Sequence, residues 1–198
     1  MEDYKNIKGI AFDYWGIFSP NIFPIQDTLA EKGIDKETRH GNKDYIDAIN
    51  SLNLGLINEK EYIKRCGDIF KVKLPYHKSR IKFDKTRLNH NLIEIVQKLK
   101  GKYKIGLLSN NSETFTKEYL FKPKLDKLFD VLVLSHLEGI RKPDPKIYLL
   151  LAKRMGLKPE EILYIDDREN RAKPAEELGF KTLIYEGKKT DKILQSLI

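Results

Sequence analysis

The chain has little of several things that mark out whole classes of protein. Its 198 residues include one cysteine, Cys66, so no disulfide can form within the chain and a small core residue is expected there. Secreted disulfide-rich domains need many cysteines, so this composition favours a reducing cytoplasm. No apolar run approaches the ~20 residues that span a membrane. Residues 1–5 also lack the basic start and apolar stretch of a signal peptide, so we expect a cytoplasmic protein without a membrane partner.

Basic residues outnumber acidic ones by 37 to 29, which gives a formal net charge of +8. A nucleic-acid partner would explain such an excess, and so would a lysine-rich solvated surface. The basic residues are spread along the chain, and no arginine-rich block alternates with aromatic residues. We therefore expect no nucleic-acid partner and a mildly positive surface that attracts small anionic ligands.

From Asn91 onward, short apolar runs alternate with segments whose apolar residues recur at helical spacing. The predicted strands are Tyr103–Leu108, Val131–Leu134, Ile162–Ile165 and Thr182–Tyr185. The predicted helices include Ser112–Tyr119, Pro145–Met155 and Lys173–Leu178, with a last helix at the C-terminus. Strands that alternate with helices are joined by right-handed crossovers and form a parallel sheet. The sequence therefore predicts an α/β fold with a parallel sheet flanked by helices.

The stretch after the first apolar run differs in character, because residues 19–88 contain little strand-like sequence. Pro24–Gly33 is predicted as a short helix. Asn58 is followed by two acids in the first turn of a second predicted helix, which ends near Pro75. We expect this stretch to be a small helical insertion.

The first candidate catalytic residue is Asp13, which ends the apolar run Ile7–Phe12 and precedes Gly16 by three positions. This pattern delivers a carboxylate to the C-terminal end of a strand, where open α/β sheets bind ligands. A carboxylate can attack phosphorus and so divide one hard step into two easier ones. Taken alone, Asp13 is better explained as the cap of a turn, and the motifs that follow reverse that preference.

Two later motifs supply groups that suit a phosphate. Ser109 and Asn110 end a predicted strand, where a hydroxyl and backbone N–H groups form a phosphate cradle or an ordinary helix cap. Lys142 lies between Arg141 and Pro143, and a fixed cation of this kind can stabilise a phosphoryl transition state. We expect Lys142 to pair with Asp13 when no phosphate is bound.

The last motif is the pair Asp166-Asp167 at the end of a predicted strand. Adjacent carboxylates repel each other unless a cation neutralises them. Magnesium prefers hard oxygen ligands and meets that need, whereas pairing with Arg168 or Arg171 is the metal-free alternative. Because Asp13 would reach the same sheet edge, magnesium is the favoured interpretation.

Taken in order, these four motifs resemble those of the haloacid dehalogenase (HAD) superfamily of hydrolases. The resemblance covers the whole chain. It implies a HAD-like Rossmannoid core of residues 1–18 and 90–198, with residues 19–89 inserted after the first strand as a helical cap.

Within that superfamily, the chain looks most like small bacterial sugar-phosphate phosphatases of the glucose-1-phosphate phosphatase type. The resemblance implies hydrolysis of a small phosphorylated metabolite through an aspartyl-phosphate, with magnesium as cofactor. Asp13, Ser109 and Lys142 would be catalytic, and Ser109, Asn110 and Lys142 would bind the phosphate. The metal ligands would be Asp13, the backbone carbonyl of Trp15, Asp167 and Asp166.

Two positions depart from the pattern of the family. Its phosphatases have Asp-x-Asp in the first motif, and the second Asp acts as general acid and base. Here that position is Trp15, whose indole can donate a hydrogen bond but cannot transfer a proton. Arg171 stands where the family usually places Asp or Asn, and Pro174 is expected to restrict the start of the next helix.

Two other functions remain open. The chain resembles 2-haloacid dehalogenases in having an aromatic residue at position 15, but those enzymes work without metal and generally lack the paired acids. A HAD fold that binds a phosphorylated ligand or a protein without turnover is the third hypothesis, which Trp15 and Arg171 favour. Asp166-Asp167 favours the magnesium-dependent phosphatase.

Overall fold

The computed structural model describes residues 4–21, 23–80 and 84–198. The predicted core and cap also include residues 1–3, 22 and 81–83, which lie outside the described residues. Five parallel strands form one sheet: β1 (Gly9–Phe12), β2 (Lys104–Ser109), β3 (Val131–Leu134), β4 (Ile162–Asp166) and β5 (Lys181–Ile184). Their order is β3-β2-β1-β4-β5. The predicted α/β fold with a parallel sheet is therefore confirmed.

Helices flank this sheet and also form a separate group between β1 and β2. Within the described ranges, the α-helices of that group are α1 (Pro24–Ala30), α2 (Lys36–Gly41), α3 (Lys43–Asn53), α4 (Glu59–Phe70) and α5 (Tyr76–Ser79). The remaining α-helices are α6 (His90–Leu99), α7 (Glu113–Phe115), α8 (Ser135–Glu138), α9 (Pro145–Met155), α10 (Glu169–Glu177) and α11 (Lys188–Gln195). A π-helical turn, Thr116–Phe121, continues α7. None of the helices in the described ranges combines the length and apolarity that crossing a membrane requires.

The helix α9 shows how local sequence sets these boundaries. Asp144 accepts a hydrogen bond from the Lys146 N–H at 2.9 Å, and Pro145 occupies the first helical position. Gly156 ends the helix with a φ of +63°, a conformation that costs glycine little. The predicted bounds of this helix and of β3 are confirmed.

The sheet separates two apolar clusters because successive side chains of a strand point to opposite faces. Ile10 and Phe12 of β1 join the cluster that includes α6, whereas Ala11 faces the cluster that includes α9. The strand β1 lies at the centre of the sheet, so its C-terminal end is flanked by the ends of both β2 and β4.

The helices between β1 and β2 have an apolar cluster of their own, built around Leu29, Tyr45, Ile63 and Cys66. Cys66 is a buried free thiol, as predicted. The helices α2 and α3 were not predicted. The helix α2 has no apolar side chain to reveal it, whereas Tyr45, Ala48, Ile49 and Leu52 of α3 recur at helical spacing and could have indicated that helix. That residues 19–89 act as a cap domain stays a prediction.

The predicted start of α10 is wrong. The helix begins at Glu169, four residues before the predicted start at Lys173, and Pro174 lies inside it. A proline inside a helix removes one backbone hydrogen bond. The helix tolerates that loss here, and as a result Arg171 falls in its first turn, close to the end of β4.

Candidate active site

The carboxyl ends of β1 and β4 bring two acids together on one lysine. Phe12 pairs in register with Ile165, so Asp13 and Asp166 lie side by side where the strands end. Lys142 Nζ lies 2.9 Å from Asp13 Oδ1 and 2.8 Å from Asp166 Oδ2. All three charged side chains are buried, so solvent screens these attractions far less than it screens a surface pair. The predicted contact between Lys142 and Asp13 is confirmed.

The backbone of Lys142 is held by the side chain of Asn110. The Asn110 amide donates to the Lys142 carbonyl at 2.9 Å, and the Lys142 N–H donates to Asn110 Oδ1 at 2.8 Å. These two reciprocal bonds fix the loop that carries the lysine against the end of β2. The geometry therefore gives Asn110 a positioning role, whereas its predicted contact with phosphate stays a prediction.

The hydroxyl of Tyr164 completes the surroundings of Asp166. It donates to Asp166 Oδ2 at 2.5 Å and accepts from Lys142 Nζ at 2.8 Å, while the Arg168 N–H donates to Asp166 Oδ1 at 3.1 Å. Burial alone would raise the pKa of Asp166. The charge of Lys142 and the hydrogen bonds from Lys142 and Tyr164 outweigh burial and lower that pKa, so Asp166 stays ionised.

Asp13, Asp166 and Asp167 together form a group that suits a divalent cation. Each offers a carboxylate oxygen, and these oxygens lie within 4.8 Å of one another. Oδ1 of Asp167 is buried and has no hydrogen-bond partner among the described residues, and Arg168 approaches it only to 3.8 Å. Burial and the charges of Asp13 and Asp166 raise the pKa of Asp167. An unpaired hard oxygen in this group fits Mg²⁺.

Gly16 gives Asp167 the room to reach this group. Its φ is +81°, and a Cβ atom built on it would lie within van der Waals overlap of the carboxylate, 2.2 Å from Asp167 Oδ2. The same oxygen accepts a hydrogen bond from Asn21 at 3.3 Å. The glycine of the first motif is therefore needed both for its backbone conformation and for the absence of a side chain.

Ser109 lies at the end of β2 and is fully buried. Its Oγ has no hydrogen-bond partner among the described residues, which leaves the hydroxyl available to a ligand. Two residues further along the loop, the Asn111 N–H donates a hydrogen bond to Ser135 Oγ at 3.0 Å. The Ser135 hydroxyl in turn donates to the Asn53 carbonyl at the end of α3. The loop after β2 is thereby tied to the helices inserted between β1 and β2.

Trp15 packs its side chain into an aromatic cluster. The indole is 5% exposed. Its ring centroid lies 4.7 Å from that of Phe115, 5.2 Å from that of Phe23 and 5.3 Å from that of Tyr119. This side chain is part of the hydrophobic core. Its role as a metal ligand through the backbone carbonyl stays a prediction.

Arg171 approaches the second oxygen of Asp13. Its Nη1 lies 3.4 Å from Asp13 Oδ2, and its carbonyl accepts a hydrogen bond from the Tyr148 hydroxyl at 2.8 Å. Burial alone would lower the pKa of Arg171, but the charges of Asp13 and Asp166 outweigh it and raise that pKa. The sequence analysis noted Arg171 as a departure at a position where the family usually has Asp or Asn, and the structure places this cation beside the candidate nucleophile.

The sequence analysis did not identify Tyr164 as a residue of the site. It lies two residues before Asp166 on the same strand, and side chains two apart on a strand share a face. That spacing is the one sequence feature that points to a contact between the hydroxyl and the carboxylate.

The geometry agrees with what known proteins show. A family model described as haloacid dehalogenase-like hydrolase matches residues 4–179. The glyceraldehyde 3-phosphate phosphatase of Methanocaldococcus jannaschii is 31% identical over 202 residues, which covers 93% of this chain and 88% of that protein. The phosphorylated carbohydrates phosphatase of Thermotoga maritima is 24% identical over 181 residues, covering 89% of this chain and 84% of that protein.

Another relative is much longer, since the match to mouse acyl-CoA dehydrogenase family member 10 has 32% identity over 63% of this chain but covers 12% of that protein. Among solved structures, a HAD-like hydrolase of Porphyromonas gingivalis has a TM-score of 0.76 at 25% identity, covering 96% of this chain and 98% of that one. A HAD enzyme of Bacteroides thetaiotaomicron in complex with magnesium and inorganic phosphate has a TM-score of 0.69 at 20% identity, covering 92% of this chain and 96% of that one. The family model spans most of the chain, and the fold and strand-end motifs of the chain agree with that match. This chain therefore belongs to the haloacid dehalogenase-like hydrolases.

Proposed function

We propose that this chain is a magnesium-dependent phosphatase that hydrolyses a small phosphorylated metabolite with Asp13 as nucleophile. The observation that carries the proposal is the buried ammonium of Lys142, which pairs with Asp13 and Asp166 at the end of the central strand. The core would consist of residues 1–18 and 90–198. Residues 19–89 would act as the cap that selects the substrate.

The reaction would proceed in two balanced steps. In the first, a carboxylate oxygen of Asp13 bonds to phosphorus while the bond from phosphorus to the leaving oxygen breaks, and the leaving group departs with that electron pair. In the second, water attacks phosphorus, phosphate is released with loss of a proton to solvent, and the Asp13 carboxylate is restored. Lys142, Ser109 and the Asn110 backbone N–H would hold the phosphoryl oxygens, where Lys142 opposes their growing negative charge.

Asp13, Asp167 and the Trp15 carbonyl would hold Mg²⁺, with Asp166 supporting them. Bound there, the ion would supply positive charge to the phosphoryl oxygens. Asp166 supports rather than leads because Lys142, Tyr164 and the Arg168 N–H already bond to both of its oxygens. Oδ1 of Asp167, which accepts no hydrogen bond within the described ranges, supports this assignment of ligands.

Proton transfer sets the limit of this chemistry. A positioned acid typically contributes a factor of ~10² to 10⁴ in rate. The indole of Trp15 supplies no proton and is packed among aromatic rings. Turnover should therefore depend steeply on the acidity of the leaving group, so aryl and acyl phosphates should react well and alkyl phosphates poorly.

The test is a series of phosphate esters graded by leaving-group pKa, assayed with magnesium and with chelator. We expect a steep negative slope of rate against that pKa, and loss of turnover with chelator or in Asp13→Asn. Calorimetry should detect Mg²⁺ binding to the wild type, and Asp167→Ala should abolish it. A shallow slope would indicate another proton donor, and a protein inert to every ester would exclude phosphatase activity.

A 2-haloacid dehalogenase is the second candidate, which the aromatic residue at position 15 favours. Asp13 would attack the halogen-bearing carbon, the halide would leave with its electron pair, and water would hydrolyse the resulting ester. A halide needs no protonation, so Trp15 would be no handicap. Release of chloride from 2-chloropropionate in the presence of chelator would support this candidate. Inertness towards both substrate classes would favour a binding protein without turnover.

A further inference from the structure

Ser135, the first residue of α8, joins two segments that are far apart in the chain. Its hydroxyl oxygen accepts a hydrogen bond from the Asn111 N–H at 3.0 Å, and the same hydroxyl donates to the Asn53 carbonyl at 2.6 Å. The side chain is fully buried, so bulk water does not compete for either bond. One hydroxyl therefore connects the loop after β2 to the end of α3.

The loop after β2 is held at two consecutive residues. The Asn110 side chain forms two reciprocal hydrogen bonds with the backbone of Lys142. Asn111 is held through its backbone N–H by Ser135. Ser109, whose hydroxyl is proposed to bind phosphate, immediately precedes these two asparagines. The position of the proposed phosphate ligands therefore depends on both sets of contacts.

The contact between the end of α3 and α8 leaves no space for a side chain. Gly55, two residues after α3, has a φ of +72°, and a Cβ atom built there would overlap the carbonyl oxygen of His136. His136 follows Ser135, and its Nδ1 lies 3.0 Å from Asn111 Oδ1. The segment from Asn53 to Gly55 thus contacts the same two residues of α8 that hold the loop after β2.

The two hydrogen bonds of the Ser135 hydroxyl are coupled to each other. A hydroxyl that donates a hydrogen bond is a better acceptor, because each bond polarises the next. The Asn53 carbonyl therefore strengthens the bond from the Asn111 N–H to Ser135. The single hydroxyl hydrogen has an alternative acceptor in the Asn111 carbonyl, 3.4 Å away. Loss of the contact with α3 would turn the hydrogen towards that carbonyl and shift the backbone of the loop.

We propose that Ser135 is a positioning residue for the loop after β2, and that it makes the affinity for phosphate depend on the contact between α3 and α8. This inference rests on the proposed phosphatase function, in which Ser109 and the Asn110 N–H hold the phosphoryl oxygens. The leaving group of the substrate has no part in this coupling. All phosphate esters, and inorganic phosphate itself, should therefore respond alike when the contact is broken.

The test measures competitive inhibition of ester hydrolysis by inorganic phosphate, which has no leaving group. Gly55→Ala should move α3 away from α8 and leave every side chain of the loop in place. A hydrogen bond contributes about 2- to 10-fold to an equilibrium constant. We expect the inhibition constant to rise by such a factor, and kcat/KM to fall by an equal factor for every ester of the graded series. Ser135→Ala should show the same pattern, and urea unfolding establishes that each variant is folded.

Gly33→Ala and Ser51→Ala are the matched controls. Gly33 has a similar φ of +80° and no described atom within 4 Å of its Cβ, and the Ser51 hydroxyl donates within α3 to the Asp47 carbonyl. Both variants should keep the inhibition constant of the wild type. A folded Gly55→Ala with wild-type affinity for phosphate, or with losses that differ from ester to ester, would overturn the coupling while leaving the phosphatase intact.

If the wild type hydrolyses no ester and calorimetry detects no binding of phosphate, the proposed function fails separately. Amide hydrogen exchange then still tests the positioning role, because the Asn111 N–H is bonded to Ser135. Exchange at Asn111 that is faster in Gly55→Ala than in Gly33→Ala would support the coupling. Equal exchange in the two variants would overturn it.

Discussion

Asp13 and Trp15 are two residues apart, and their side chains lie in opposite kinds of surroundings. Asp13 is buried between two cations, Lys142 and Arg171. Trp15 is buried among aromatic rings that belong to the hydrophobic core. The charged group depends on a few directional contacts, each strong because solvent is excluded. The aromatic group depends on buried area and ring geometry, where no single contact dominates.

This difference shows what kind of position Trp15 occupies. Position 15 is a core position, since Trp15 packs on Phe23, Phe115 and Tyr119. Placing an acid there would therefore require the core to be rebuilt. The two kinds of surroundings predict different responses to substitution.

Removing the ammonium group of Lys142 should have the largest effect on stability and turnover. Lys142→Met leaves Asp13 and Asp166 without their shared partner, and breaking a buried ion pair costs ~3 to 5 kcal/mol in free energy of unfolding. Loss of a charge-stabilising group should also lower turnover by about 10²- to 10³-fold. Lys146→Met, at an exposed lysine on the adjoining helix, is the control. Urea unfolding and ester hydrolysis measure both effects, and unchanged stability would show that the lysine contributes nothing to the fold.

Trp15→Asp should come next, with an effect on stability. It removes a large buried ring, which costs ~3 to 5 kcal/mol, and places a carboxylate in an apolar cluster. We therefore expect a lower melting temperature and no gain in alkyl-phosphate hydrolysis. Phe121→Asp introduces the same group at a half-exposed aromatic residue and should be nearly neutral. A stable Trp15→Asp with faster alkyl-phosphate hydrolysis would show that position 15 can still face the substrate.

Gly16→Ala should have a smaller effect, directed at the proposed magnesium site. The new Cβ would displace Asp167, whereas Gly33→Ala has a matching φ of +80° and nothing within 4 Å of its Cβ. Both variants carry the backbone strain of ~1 to 2 kcal/mol, so their difference isolates the contact with Asp167. Calorimetry should show weaker Mg²⁺ binding in Gly16→Ala alone. Equal Mg²⁺ affinities in the two variants would remove Asp167 from the ligands.

Tyr164→Phe should have the smallest effect, ~1 kcal/mol in free energy of unfolding. It removes one of the hydrogen bonds that lower the pKa of Asp166. A lowered carboxyl pKa stabilises the fold above the unfolded value, and that contribution disappears as pH falls through the lower folded value. With chelator present, the difference between wild type and variant should be constant near neutral pH and shrink below about 3.8. Tyr103→Phe is the control, and a pH-independent difference would contradict this account.

The sequence predicted those residues of the site that belong to short, recognisable sequence motifs. Asp13 and the pair Asp166-Asp167 follow apolar runs, and Lys142 stands beside a proline, so each is recognisable without knowledge of its neighbours. The direction of the Trp15 side chain was not recognisable, because its nearest ring belongs to Phe115, 100 positions away in the chain.

Other parts depend on how the elements are aligned in space. The contact of Arg171 with Asp13 requires α10 to begin at Glu169. Because proline is disfavoured inside a helix, Pro174 led to a predicted start that was too late. The role of Tyr164 requires the loop of Lys142 to bring the ammonium group within 2.8 Å of the Tyr164 hydroxyl. Local spacing specifies strands and their ends, whereas contacts between distant segments follow from packing that spacing does not encode.

The reciprocal bonds between Asn110 and Lys142 also constrain how this protein can vary. The asparagine both donates to and accepts from the backbone of a residue 32 positions later. Aspartate can accept but not donate, and glutamine is one methylene longer, so neither reproduces both bonds. In a combinatorial library, position 110 should tolerate asparagine almost alone, even though any residue except proline at position 142 offers the same backbone groups. The lysine side chain can therefore be replaced while Asn110 still holds the backbone of position 142. Replacing Asn110, in contrast, removes the bonds that hold this backbone, even when Lys142 is kept.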